Sequence, residues 1–433
     1  MGSIKVQQSN AWTIAVFAII AVAPIISNIA TLIGAVMFLV WLFKYRVFPV
    51  DYSSAVGRIS VIILAYFAVM LFVTLIDEWS FRALQSMASI SQFLYLGLLL
   101  PFLATKIKPI SFSTIGYLAT CTTLTVFVLA FIEHQFFLSF DSGFLIETSE
   151  RIRPKWIGLY HGSRVALLTG NPNTVATILF PIVFLSVVGW RSKSLIWKVL
   201  AIFSLAVGLI TTGIFAETRV TVVFAPLLLS LVWLYLFRVD RRFAYFLVAL
   251  SSLSMLLLVF NWEVVSDSSL IRRMTALFLE IGKDSEDLYD SSVAHRLIMY
   301  KSGWASFLDS PWVGHGVHNK YEAIRSYFAG TALEGSNYRT THNLFVTHAV
   351  VGGLLGILTI FVLIMFPIYS VLRMNAKLRS ADDVFMASIL TMSLMTLGMS
   401  ETMLFNDAKN TLYIILFFLA AQLNDRKQPK LVS

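Results

Sequence analysis

The chain alternates between long apolar runs and short polar connections. Most runs are close to the ~20 apolar residues that a helix needs to cross the hydrocarbon core of a membrane. The pattern therefore predicts about twelve membrane-spanning helices. We place them at roughly 11–26, 28–44, 59–76, 87–105, 112–132, 166–190, 196–213, 220–237, 243–261, 343–372, 384–400 and 408–423.

One polar stretch, residues 262–341, is much longer than the other connections and divides the chain into three parts. Residues 1–261 hold the first nine spans, 262–341 form a long loop, and 342–433 hold three spans and a C-terminal tail. The loop is too rich in aromatic and aliphatic residues for a linker. Long loops of this kind often carry function.

An amphipathic helix is predicted inside the loop, over residues 290–308. Its apolar positions recur at helical spacing, and Asp309-Ser310-Pro311 is expected to end it. The positions are Leu297, Tyr300, Trp304 and Phe307. Residues 314–319, which include two glycines, predict a tight turn.

Composition defines the class of protein. The 433 residues are 58% hydrophobic and 13% charged, with a mean hydropathy of +0.78, whereas soluble domains have about 25% charged residues. We therefore expect an all-α, polytopic integral membrane protein. The single cysteine, Cys121, excludes a disulfide framework.

The net charge of +9 follows the predicted topology, so no nucleic-acid partner is expected. With an even number of spans, basic residues outnumber acidic ones by 18 to five on the side of the termini. Cytoplasmic loops carry such an excess, so both termini are predicted to be cytoplasmic. The long loop then faces the other side, which is the periplasm in a Gram-negative cell.

His342 and Asn343 lie where the long loop re-enters the membrane. An imidazole there titrates near neutral pH and can accept a proton. The alternative is that His342 is only a cap or an interface residue. Asn343 is expected to cap the next helix or to orient the imidazole. The Gly352 and Gly356 pair behind them predicts that another helix approaches closely.

Two arginines are candidate phosphate ligands. Arg219 lies between two apolar runs, where a guanidinium is costly unless a partner or a cavity compensates it. It is either a phosphate ligand or an ion-pair partner of Glu217 that reaches the interface. Arg296 lies on the predicted loop helix and is either a ligand or a solvated charge.

Other polar positions have weaker signals. Asn173, in an Asn-Pro-Asn turn, either starts a helix or offers its amide to a sugar. His315 and His318 have no carboxylate at ligand spacing, so no metal ion is expected.

Together these features resemble the O-antigen ligase and polymerase superfamily. The resemblance rests on the twelve spans, the long loop before the tenth span and a series of short motifs. The motifs are Asn171-Pro172-Asn173, Thr218-Arg219, His295-Arg296, Gly314-His315-Gly316, His342-Asn343 and Gly352-Gly353. The fold it implies is a GT-C-like glycosyltransferase with amphipathic helices in a large periplasmic loop.

The resemblance also implies a reaction. The donor would be O-antigen glycan on undecaprenyl diphosphate, and the acceptor a hydroxyl of lipid A-core among the lipids of the inner membrane. His342 would be the general base of a single inverting displacement, and Arg219 and Arg296 would stabilise the leaving diphosphate without a metal or other cofactor. Asn343, Arg339 and Asn173 would complete the substrate-binding residues.

Two rival functions remain open from the sequence. A polymerase would use a second lipid-linked glycan as acceptor, with nearly the same residues. A transporter or flippase of lipid-linked sugars is the other rival. Transporters often have related halves or polar midplane positions, whereas here no repeat is evident and polar residues gather on one side.

Overall fold

The computed structural model describes residues 10–45, 54–108, 110–139, 167, 172–216, 218–260, 291–336, 341–399, 401–405 and 407–425. The N-terminal part forms α1 (Asn10–Val22), α2 (Ser27–Lys44), α3 (Ala55–Asp77), α4 (Phe81–Ser86), α5 (Ser91–Lys106), α6 (Phe112–Ser139), α7 (Pro172–Leu185), α8 (Leu195–Ile210), α9 (Arg219–Val239) and α10 (Arg241–Phe260). The C-terminal part forms α11 (Ser291–Asp309), α12 (Gly316–Arg325), α13 (Leu344–Leu372), α14 (Ala381–Gly398) and α15 (Asp407–Asp425).

The predicted fold class, an all-α polytopic membrane protein, is confirmed. Within the described residues, eight helical segments are long and apolar enough to cross a membrane, and α1 and α2 contain shorter apolar helices. The eight are Ala55–Asp77, Phe81–Lys106, Phe112–His134, Asn173–Arg191, Leu195–Phe215, Val220–Val239, Leu344–Leu372 and Ala381–Gly398. Helices α10 and α15 coincide with the predicted spans 243–261 and 408–423 but lie outside that set.

Several helix boundaries follow local side-chain chemistry. Ser54 Oγ accepts a hydrogen bond from Gly57 N at the start of α3. Ser380 and Asp383 form a capping box at the start of α14. Such caps satisfy backbone N–H groups that have no partner inside the helix. The sequence therefore fixes where these spans begin.

The loop helix is confirmed as α11, and it ends at Asp309 as predicted. The prediction of a turn over 314–319 is only partly right. Gly314 and Gly316 have φ of 67° and 65° and form the turn, but α12 already begins at Gly316. His318 and Asn319 therefore lie in a helix, because only the two glycines need the left-handed conformation.

Helix α12 is tied to the end of α3 by polar contacts. Asn319 Nδ2 donates a hydrogen bond of 2.7 Å to Asp77 Oδ2, and His318 Nε2 lies 3.4 Å from Glu78 Oε2. Val317 N donates to Thr74 Oγ1 over 3.0 Å. The loop is thus packed on the bundle.

The predicted apolar face of α11 is partly wrong. Phe307 is buried, but Trp304 is exposed, and Ile298 and Met299 are buried in its place. These two side chains pack with Ile324, Phe328, Leu333 and Val350 in a small core between α11, α12 and α13. The helix is therefore rotated relative to the face that spacing alone predicted.

Helix α13 is broken at Gly353, which has φ of 56° and ψ of −144°. The turn after α11 occupies the break, where Pro311 O accepts a 2.7 Å hydrogen bond from Leu354 N. A Cβ on Gly353 would lie 2.5 Å from the carbonyl carbon of Trp312. Glycine is therefore required here both by φ and by space.

Gly352 and Gly356, the glycine pair that follows His342 in sequence, allow two different close contacts. Gly352 faces Met70 and Val73 of α3, in keeping with the predicted close approach of another helix. Gly356 instead meets the carbonyl of His348, so that a Cβ there would lie 2.3 Å from the oxygen. The second glycine thus lets the two segments of α13 approach each other across the break.

Candidate active site

His342 lies in a strained turn immediately before α13. Its φ of 50° is left-handed, a conformation that costs a non-glycine residue roughly 1–3 kcal/mol and that clusters at functional sites. Buried Thr341 holds the turn. Its Oγ1 lies 2.9 Å from Asn343 O and 3.3 Å from Asn343 N, within hydrogen-bond distance of both.

Asn343 caps α13, the first of the two roles predicted for it. Its Oδ1 accepts hydrogen bonds from Phe345 N and Val346 N at 2.9 and 3.0 Å. Its Nδ2 donates to Met399 O over 3.1 Å, at the end of α14. The cap thus joins the start of one span to the end of the next.

Tyr300 brings α11 to the same place. Its hydroxyl lies 3.3 Å from His342 O and 3.1 Å from Met399 O, so both carbonyls are within reach of one donor. Burial raises the pKa of Tyr300, which keeps the hydroxyl protonated and able to donate. The loop helix, the His342 turn and the end of α14 therefore meet at one point.

A buried ion pair lies beside the imidazole. Glu401 Oε1 is 4.0 Å from His342 Nδ1, and Glu401 Oε2 is 3.7 Å from Lys409 Nζ. Glu401 and Lys409 are only 8% and 4% exposed. A distance of 4.0 Å is too long for a hydrogen bond, so the contact between Glu401 and His342 is electrostatic.

Glu401 and Lys409 were not identified from the sequence. In the sequence Glu401 lies in the short connection between the spans predicted at 384–400 and 408–423, and nothing there distinguishes it from a solvated charge. Lys409 gave a usable signal, because it lies inside the predicted span 408–423, where a cation is costly without a partner. An acidic residue eight positions earlier was the available partner.

The surroundings favour a neutral imidazole. Burial, the largest influence, lowers the pKa of His342; the Glu401 carboxylate opposes this, and the positive charges of Arg296 and Lys409 lower the pKa further. A neutral imidazole can accept a proton at neutral pH. Arg296 lies about one helical turn before Tyr300, whose hydroxyl is 3.3 Å from His342 O, so α11 brings these two predicted residues to the same end of the bundle.

The other predicted residues are placed less completely. Arg219 begins α9, shortly after the π-helical turn Thr211–Phe215. Its side chain and all of Arg339 lie outside the described residues. Asn173 lies half-buried in the first turn of α7, where its carbonyl accepts a 2.7 Å hydrogen bond from Thr177 Oγ1. Their roles in substrate binding stay predictions.

The fold and this cluster define a polytopic α-helical membrane protein with a group of ionisable residues, His342, Glu401, Lys409 and Arg296, at one end of the bundle. Residues 204–361 match the model of a protein family described as O-antigen ligase. The match includes Arg219, Arg296, Arg339, His342 and Asn343, and it confirms the resemblance drawn from the motifs. The comparison with curated proteins gave no match. The family supports a ligase or polymerase type of glycosyl transfer.

Proposed function

We propose that the protein is an O-antigen ligase. It transfers O-antigen glycan from undecaprenyl diphosphate to a hydroxyl of lipid A-core at the periplasmic face of the Gram-negative inner membrane. The observation that supports this most is the His342 cluster. Its partly buried imidazole belongs to the segment that matches the family, lies 4.0 Å from Glu401 Oε1 and is influenced by the charge of Arg296.

The proposed role of His342 is that of general base. With Nδ1 facing Glu401, the other ring nitrogen takes the proton of the acceptor hydroxyl. The acceptor oxygen forms a bond to the anomeric carbon as the bond to the diphosphate breaks, and the bonding electrons leave with the phosphate oxygen. Attack from the opposite face inverts the anomeric centre. The nearby Glu401 carboxylate stabilises the imidazolium that forms.

The leaving diphosphate needs positive charge that is fixed in place. In the part of the chain that the structure describes, no carboxylate lies within the 4.0 Å ion-pair distance of Arg296, while Glu401 is already paired with Lys409. Arg296 is therefore proposed as the cation that receives an anionic group of the substrate. A guanidinium matches phosphate oxygens bidentately, and preorganised cations stabilise charge that develops in a transition state. Arg219 is proposed as the second such cation.

The same proposal assigns roles to the three parts of the chain. Residues 1–261 and 342–433 supply the spans that hold the lipid tails, and 262–341 carries Arg296 over the site. Asn343, Arg339 and Asn173 are proposed to contact the sugars or phosphates.

The decisive experiment is reconstitution of the purified protein with undecaprenyl-diphosphate glycan and lipid A-core. A ligase produces glycan on lipid A-core, whereas a polymerase lengthens the lipid-linked glycan without using lipid A-core. A transporter gives neither product and changes only the sidedness of the donor. Ligation by the native protein that is lost in His342→Ala supports the proposal, and a native protein that forms no ligated product overturns it.

A further inference from the structure

A stripe of large apolar side chains on α11 faces outward. Trp304, Leu308 and Trp312 are 55%, 59% and 71% exposed, and Lys301 is exposed one turn before Trp304. Positions 301, 304 and 308 share one face of the helix, and Trp312 follows in the turn that leads to α12. Along this stripe a charged lysine is followed by three large apolar side chains.

Backbone hydrogen bonds fix the position of the turn 310–314 along the length of the spanning helix α13. Leu354 N donates to Pro311 O over 2.7 Å, and His315 N donates to Val350 O over 2.8 Å. The turn therefore lies alongside residues within the apolar helix α13, which is long and apolar enough to cross a membrane.

Contacts with a second span, α3, place the same turn near the end of that helix. Val317 N donates to Thr74 Oγ1, and a Cβ on Gly316 would lie 2.9 Å from Thr74 Cα. Thr74 precedes the end of α3 at Asp77. The turn between α11 and α12 thus packs against α13 at its break and against the end of α3.

The exposed stripe continues into the outward surface of the bundle. Leu354, Leu355 and Leu358 of α13 are exposed just beyond the break at Gly353. Past the end of α3, which α12 contacts, Trp79 and Phe81 are the most exposed large apolar side chains of the described residues. Indole rings collect at the level of lipid head groups, and lysine side chains extend toward that level.

We propose that the second half of α11 and the turn 310–314 insert into the membrane leaflet on the His342 side. Lipid acyl chains and the head-group boundary cover Trp304, Leu308 and Trp312, and Lys301 lies at the level of the head-group phosphates. The inserted segment anchors the loop helix that carries Arg296 and Tyr300. The inference does not depend on the proposed ligase reaction.

Spin labels at single cysteines test this directly. In a Cys121→Ala background reconstituted into vesicles, Trp304→Cys, Leu308→Cys and Trp312→Cys are labelled one at a time. Collisions with oxygen, which concentrates in lipid, are compared with collisions with a water-soluble nickel chelate. Leu358→Cys on α13 is the lipid reference, and Ser326→Cys, exposed after α12, is the aqueous reference.

The expected ratio of oxygen to nickel collisions is several-fold higher at 308 and 312 than at 326, with 304 between them. Ratios at all three positions equal to that at 326 overturn the proposal. Labels that are shielded from both reagents and broadened by a neighbouring label would indicate a second copy of the chain, and this also overturns it. None of these measurements requires substrate, so the outcome is separate from that of the ligation assay.

A measurement without labels guards against perturbation by the spin probe. Brominated lipids quench exposed indoles that touch acyl chains. Trp304→Phe with Trp312→Phe is expected to lose part of the lipid-quenchable fluorescence. Trp12→Phe with Trp41→Phe, which replaces two buried indoles, is the matched control and is expected to keep it. Equal quenching in both double variants contradicts insertion.

Discussion

Nδ1 of His342 and Oε1 of Glu401 lie 4.0 Å apart. His342 precedes α13 and Glu401 follows α14, so the two residues are far apart in sequence and meet where the hairpin of these two helices begins and ends. The contact makes the proton affinity of the imidazole depend on a connection that precedes the last helix. Lys409 holds the other carboxylate oxygen from α15. The candidate base is therefore built by three separate segments, with Arg296 supplied by a fourth.

His342→Ala is expected to lower the rate of ligation by roughly 10²–10⁴-fold, the usual contribution of a general base. Expression and insertion should be retained, because the imidazole is only partly buried and lies in the turn before α13 rather than inside a span. His318→Ala is the control: it removes another loop histidine, whose described partner is Glu78. The measurement is ligation by purified variants, and a native rate in His342→Ala excludes the imidazole as base.

Substitutions of Glu401 and Arg296 are expected to move the acidic limb of the pH–rate profile in opposite directions. The base is active in its neutral form, so this limb follows the pKa of His342. Glu401 raises that pKa, and Glu401→Gln should shift the limb to lower pH and reduce the plateau rate. Arg296 lowers the pKa, and Arg296→Gln should shift the limb to higher pH.

The pH profile of kcat/KM measures both shifts. Arg373→Gln removes one positive charge just after α13, at the opposite end of that helix from His342, and should leave the limb unchanged. Shifts of the same sign in Glu401→Gln and Arg296→Gln would contradict the electrostatic assignment.

Arg296→Lys is expected to impair ligation even though it keeps the charge, because an ammonium cannot bind phosphate oxygens in a bidentate manner. Arg219→Lys should behave alike. Activity of the native protein should survive chelators, since the proposed mechanism assigns charge stabilisation to the arginines. Ligation assays with and without EDTA measure this. Loss with EDTA and recovery with a divalent cation would count against the mechanism.

Asn343→Ala is expected to destabilise the protein by about 1 kcal/mol, the usual cost of losing a helix N-cap. Asn343→Asp keeps the carbonyl-type acceptor for Phe345 N and Val346 N but loses the donor to Met399 O. Thermal unfolding in detergent should therefore show a lower transition for the alanine variant. If both variants unfold at the same temperature, the cap does not set the stability of this end of α13.

Gly353→Ala is expected to disrupt folding or strongly lower the unfolding temperature. The substitution combines a φ of 56° with a Cβ 2.5 Å from the backbone of Trp312. Gly330→Ala separates the two causes, since Gly330 has φ of 71° but no neighbour within 4 Å of the added atom. Its expected effect is limited to the conformational cost. Equal effects at the two positions would show that the contact with Trp312 is unimportant.

The positions of the spans could be predicted because each follows from the local apolar pattern. The break in α13 could not, since apolar residues dominate 344–372 on both sides of it and the two glycines also suit a straight packed helix. What selects the break is a hydrogen bond between Leu354 and Pro311, which are far apart in sequence. Glu401 was missed for a similar reason, because its significance comes from Lys409 and His342 in space.

The break at Gly353 also resolves a mismatch between the length of α13 and the thickness of a bilayer. A straight helix of 29 residues would be roughly 43 Å long, well beyond the ~30 Å hydrocarbon core. The segment after the break, residues 354–372, is roughly 28 Å long and fits that core with little tilt. The residues before the break, 344–352, lead back to the proposed base His342. Gly353 therefore separates a segment of membrane-spanning length from the segment that carries the candidate site.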